Sequence, residues 1–189
     1  GCGGGWWVYD VGGGGRGEGS GGAVLAVWGA PALGAVMGQG AREKKFEMAL
    51  GCLAHTAGVA TTVGAEVIVF HPGFLLGRER GRAIADVVDQ LGDVRERLEA
   101  KDRLVPFGVE VMGRVRELGT LDDVLAIASQ VDFMRPVLDF AHMHATSDGA
   151  YFAADAFSSA LVATDEVLEP AAPFHIHTGH IADAIINET

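Results

Sequence analysis

A chain of 189 residues with 49% hydrophobic and 21% charged residues can bury one core and is short for two, so it is one globular domain rather than a disordered or fibrous chain. A formal net charge of −11 argues against a broad basic surface that grips nucleic acid through many phosphates, although a metal-lined groove in an acidic protein can still accept a phosphodiester. Two cysteines, Cys2 and Cys52, with no CxxC pair suggest neither a disulfide framework nor a thiolate zinc site. A reducing, cytoplasmic setting is therefore expected, and any metal must sit on histidines and carboxylates.

Residues 1–22 hold 12 of the 28 glycines. Ordering such a segment costs much backbone entropy and buries few side chains, so residues 1–40 are expected to be disordered or non-native, ahead of a folded domain at 41–189. Within them, 23–37 (AVLAVWGAPALGAVM) is the most apolar stretch, but Gly29, Pro31 and Gly34 interrupt it. It falls short of the roughly 18 apolar residues of a membrane span and lacks the basic flank of a signal peptide.

From Ala41 the pattern is regular. Phe46, Leu50, Leu53 and Ala57 share one helical face, Gly64 ends the helix, and 67–70 reads as a buried strand. Residues 78–100 repeat the theme, with Ile84, Val87, Val88, Leu91, Val94 and Leu98 at helical spacing before a strand at 106–111. Thr120 with Asp123 resembles a capping box and opens a helix at 121–130. A third strand at 135–140, a helix at 151–167 and a fourth strand at 174–178 complete the series. Strand-to-strand intervals of roughly 25 to 40 residues match βα repeats of a parallel sheet. No GxGxxG or GxxxxGK loop joins a strand to a helix, so no nucleotide cofactor is indicated.

Each of these strands ends on a metal-loving side chain: His71 after VIVF, Glu110 in FGVEV, Asp139 with His142 in PVLDFAHMHA, and His175 in PFHIH. In a parallel α/β barrel all strand C-termini face one mouth, whereas a doubly wound sheet concentrates its site at one switch point, so the pattern favours a TM-type barrel. Glu110 and Asp139 would be costly to bury without a cation or an arginine. Imidazole plus carboxylate without thiolate suits zinc, manganese or magnesium. His144, His177 and His180 could be further ligands, supporting donors or rim residues, and His55 reads as structural or solvated.

These motifs resemble the endonuclease IV family, zinc-dependent apurinic/apyrimidinic endonucleases within the xylose isomerase-like TIM barrels, and its prokaryotic branch most closely. The resemblance covers about 41–181 through VFHPGF, GVEVMGRVRELGTLDDVL, RPVLDFAHMHA and FHIHTGHI. It implies a (β/α)8 barrel represented by strands four to seven. His71 would then bind a first zinc, Glu110 would bridge the first and second, Asp139 and His175 would hold the second, and His142 the third. Glu110 and Asp139 would be the catalytic carboxylates, and DNA with abasic sites the partner, with no membrane partner.

Three departures accompany the resemblance. The glycine-rich segment offers no histidine-bearing earlier strand, the later Asp-x-His pair and last-strand glutamate would fall beyond Thr189, and Val111 stands where relatives carry Thr or Asn. Activity compromised by truncation is the expectation. Two alternatives remain open: a sugar isomerase or epimerase of the same superfamily, holding one manganese or magnesium on Glu110, Asp139 and His175, and a non-catalytic zinc-binding barrel fragment.

Overall fold

The computed structural model describes residues 6–10, 23–27, 39–151, 153–167 and 174–177, with side chains from Glu47 onward. In chain order the elements are β1 (Trp6–Asp10), β2 (Ala23–Val27), α1 (Gln39–Val63), β3 (Ala65–Phe70), α2 (Arg80–Glu99), β4 (Phe107–Glu110), α3 (Leu121–Ala128), β5 (Met134–Asp139), α4 (Phe140–Thr146), α5 (Ala154–Val167) and β6 (His175–His177). The six strands form one open sheet in sequential order, with β2 to β6 parallel and β1 antiparallel on β2. Sequential parallel neighbours joined through helices are the arrangement of a βα barrel, because a doubly wound sheet would reverse its strand order. The described sheet is thus part of a barrel wall, as the strand-end pattern led us to expect.

Within 1–40, where disorder or non-native text is expected, Trp6–Asp10 and Ala23–Val27 pair as strands, and 1–5, 11–22 and 28–38 lie outside the described residues. Neither WWVYD nor AVLAV contains glycine. Both are rich in the aromatic and aliphatic residues that favour strands.

Parallel partners share a face, and the register separates two faces of the sheet. Ile68, Phe70, Phe107, Val109, Met134 and Leu138 join one core with Leu50, Leu53 and Ala57 of α1, with Val87, Leu91, Val94 and Leu98 of α2, and with Val124 and Ile127 of α3. The helical faces read from the sequence are therefore the buried ones, although the side chain of Phe46 lies outside the described residues. On the other, inner face Val67, Val69 and Val137 make a small separate cluster. Gly108 lies in that layer, where a Cβ would meet Val137 Cγ2 at 2.6 Å.

Helix starts follow local chemistry. Glu79 caps α2 by accepting bonds from the Gly81 and Arg82 amides at 2.9 and 2.8 Å. Thr120 and Asp123 form the expected capping box of α3, and Asp123 also accepts from the Gly119 amide at 2.9 Å and from Arg80. Cys52, buried on α1, is disulfide-bonded, against the expectation that two cysteines make no disulfide framework. The reducing, cytoplasmic setting therefore no longer follows from cysteine usage. No helix among the described residues is long and apolar enough to cross a membrane.

Candidate metal centre

Four parallel strands deliver polar side chains to one end of the inner face. His71 follows β3 directly, Glu110 ends β4, Asp139 ends β5, and His177 ends β6 level with Asp139 in the ladder. Asp139 also caps α4, its Oδ1 accepting the His142 amide at 2.9 Å. That cap turns the chain from strand into helix in one residue and brings His142 back over the mouth. Glu110, Asp139 and His142 each offer one ligand-type atom within 4.8 Å of the other two.

Glu110 is the buried centre of the group, with 3% of its side chain exposed. An isolated carboxylate there would be expensive. Its two oxygens are engaged separately: Oε2 by His71 Nε2 at 2.9 Å and Oε1 by His177 Nδ1 at 2.7 Å. Burial pushes the carboxyl up, but the bonds from His177 and His71 outweigh it and hold the group at about 2. His177 moves the other way, raised by its bond to Glu110 against burial. His142 Nδ1 lies 2.9 Å from the Val111 carbonyl oxygen and 3.5 Å from Asp139 Oδ2.

Of the five ligands the motifs suggest, the structure brings Glu110, Asp139 and His142 together and sets His71 against Glu110. His175 shares the inner face but is paired with Val137, one layer below His177. Its buried Nε2 has no hydrogen-bond partner among the described residues, and burial, then the Arg135 charge, lowers its pKa. His177, read from the sequence as one of three undecided histidines, is the β6 imidazole that reaches Glu110. His175 and His177 alternate onto one face, so the sequence marks both, and only the register with β5 decides which stands at the mouth. His144 sits in the last turn of α4, outside the 4.8 Å group, His55 is exposed on α1, and His180 lies outside the described residues.

The donor set fits a hard or borderline divalent cation: carboxylate and imidazole, no thiolate, and a carboxylate that stays ionised. Beside the mouth, the loops after β3 and β4 are joined by a Phe74–Glu117 bridge. The Leu75 amide donates to Arg116 O at 3.1 Å and the Leu118 amide to Gly73 O at 2.9 Å. Arg78 fastens the first loop by donating to the Phe74 and Leu75 carbonyls and to Asp86.

A family model described as xylose isomerase-like TIM barrel matches residues 28–188. The uncharacterized protein MJ0133 of Methanocaldococcus jannaschii is 28% identical over 141 residues, which are 74% of this chain and 51% of that protein. A D-tagatose 3-epimerase-like protein superposes with a TM-score of 0.59 at 21% identity, covering 82% of this chain and 54% of that one. D-psicose 3-epimerase from Clostridium cellulolyticum H10, solved with D-tagatose, gives 0.56 at 16% identity, with 79% and 49% covered. For D-allulose 3-epimerase from Methylomonas sp. the values are 0.54, 17%, 79% and 49%. At these identities the structural likeness establishes the fold. The chain spans about half the length of the relatives it matches.

Proposed function

The chain belongs to the xylose isomerase-like TIM barrel family, and from that premise we propose that its strand-end cluster holds a divalent cation and serves the epimerisation or isomerisation of a sugar beside its carbonyl group. The observation that carries this reading is the convergence of Glu110, Asp139 and His142 within 4.8 Å at the ends of successive parallel strands. Two further facts support it. A neutral sugar needs no basic surface on a chain of net charge −11, and the solved structures that share the fold are named as carbohydrate epimerases.

A bound cation would polarise the substrate carbonyl and so acidify the neighbouring C–H. Glu110 and Asp139 would hold it, with His142 and His177 as nitrogen donors. We assign the β6 donor to His177 rather than His175, because His177 stands level with Asp139 and reaches Glu110. Glu110, held at about 2, is a poor proton acceptor at neutral pH and a good ligand, which suits the cation-holding role. Manganese or magnesium suits this set as well as zinc.

One observation favours a second reading, zinc-dependent cleavage of DNA at abasic sites. His71 and His177 approach opposite oxygens of Glu110, as ligands of two cations would flank a bridging carboxylate. One pair of assays separates the readings. The manganese-loaded chain is incubated in D2O with D-tagatose and D-allulose, and C–H exchange beside the carbonyl is followed by NMR. Exchange that EDTA and Glu110→Gln both abolish is the expected result. No exchange, together with EDTA-sensitive incision of an abasic duplex by the zinc-loaded chain, overturns the sugar reading in favour of the nuclease. Metal binding with neither activity leaves a non-catalytic metal-binding fragment.

A further inference from the structure

We propose that Gly113 and the carbonyl oxygen of Val111 are positioning groups for His142, fixing its ring so that Nε2 alone is offered to a cation. The consequence for binding rests on the metal-centre reading; the geometry does not. His142 Nδ1 faces two acceptors, Val111 O at 2.9 Å and Asp139 Oδ2 at 3.5 Å. A carbonyl has no proton to give, so the proton of a neutral ring sits on Nδ1 and the lone pair on Nε2.

Gly113 closes the other side. A Cβ at this position would stand 2.9 Å from His142 Cδ2, 3.3 Å from Cγ and 3.6 Å from Cα. The imidazole therefore packs where any side chain at 113 would be, and neither partner has slack. The Asp139 cap holds the His142 amide at 2.9 Å, and its carbonyl accepts from Thr146 Oγ1 at 3.0 Å. On the loop side the Met112 amide donates to Gly119 O at 2.7 Å and the Leu118 amide to Gly73 O at 2.9 Å. A methyl group added at 113 is accommodated most readily by turning the ring, which breaks the bond to Val111 O and re-aims Nε2. Supporting groups of this kind are commonly worth about 10–100-fold in metal affinity.

Long-range 1H–15N NMR of the metal-free chain, with His142→Asn to identify the signals, is expected to show Nδ1 as the protonated nitrogen of the neutral His142 ring. Gly113→Ala is expected to weaken Mn2+ and Zn2+ binding, measured by titration calorimetry, about 10–100-fold while keeping cooperative thermal unfolding. Protonation on Nε2 overturns the proposal, and so does a folded Gly113→Ala chain with unchanged affinity. If that variant does not fold, the tautomer in the unsubstituted chain decides. An unsubstituted chain that binds neither ion overturns the metal-centre reading, while the tautomer still tests the position of His142 separately.

Discussion

Along β3, Ile68 and Phe70 turn toward the helices while Val67 and Val69 turn to the inner face, and the two faces end differently. The helix-facing side stays apolar throughout and is filled by three helices. The inner side sets Val67, Val69, Gly108 and Val137 beside the polar Arg135 and His175, and carries His71, Glu110, Asp139 and His177 at the strand ends. Alternate residues of the same strands thus answer to different demands. One face is specified by volume, so its residues are exchangeable for others of like size; the other is specified by which donor meets which oxygen, and there no exchange is neutral.

The comparison breaks most visibly if the helix-facing side proves loosely packed. Phe107 is fully buried, with ring centroids 6.0 Å from Phe70 and 5.7 Å from Phe133, both edge-on. Phe107→Ala should cost about 3–5 kcal/mol in denaturant unfolding, and a loss well under 1 kcal/mol would show that this face tolerates a void. On the inner side the test is the reverse, adding volume. Gly108→Ala brings a Cβ to 2.6 Å from Val137 Cγ2 and 3.3 Å from Val67 Cγ2, and should cost about 1–3 kcal/mol by the same measurement.

The strand ends should respond to pH where the helix-facing side does not. Glu110 has a depressed pKa, so its contribution is present above its ordinary value of 4.5 and is lost as pH falls toward about 2. His177 has a raised pKa, so its contribution is present below the ordinary 6.5 and is lost as pH rises through the raised value. The metal-free chain should gain most from this pair between those ordinary values. Calorimetric melting temperatures that do not decline on both sides of that window would show that the two groups are not coupled as drawn. The smallest effect is expected at the rim. Leu76 (φ 50°) and Gly77 (φ 75°) form a tight turn closed by the Arg78 amide on Leu75 O at 3.0 Å, and Leu76 is 52% exposed. Two successive positive φ values suit Asn-Gly, so Leu76→Asn should stabilise the chain by about 1 kcal/mol, and an unchanged midpoint would deny the strain.

Much of the fold was legible because it is written locally. The spacing of Val87, Leu91, Val94 and Leu98 defines the buried face of α2, and Thr120 with Asp123 fixes the start of α3. β3, β4 and β5 fall within one residue or two of the runs that mark them. What was not legible depends on pairing between distant segments. β1 and β2 are five-residue strands inside glycine-rich text, stabilised by each other and by β3. His177 stands at the mouth because it is in register with Asp139, and no reading of PFHIHTGH alone separates it from His175. The Val111 carbonyl that holds His142 is a backbone atom, so its role leaves no trace in residue type.

The stitched loops after β3 and β4 have a mechanical consequence. His71 opens one of these loops and Glu110 precedes the other, and the Phe74–Glu117 bridge with its two flanking amide bonds ties the loops together. Opening one of these loops means breaking the bonds that hold it to the other, so His71 and the segment that follows Glu110 are coupled through the backbone, while His177 on β6 stands outside that coupling. Amide hydrogen exchange at Leu75 and Leu118 should therefore follow a common opening rate.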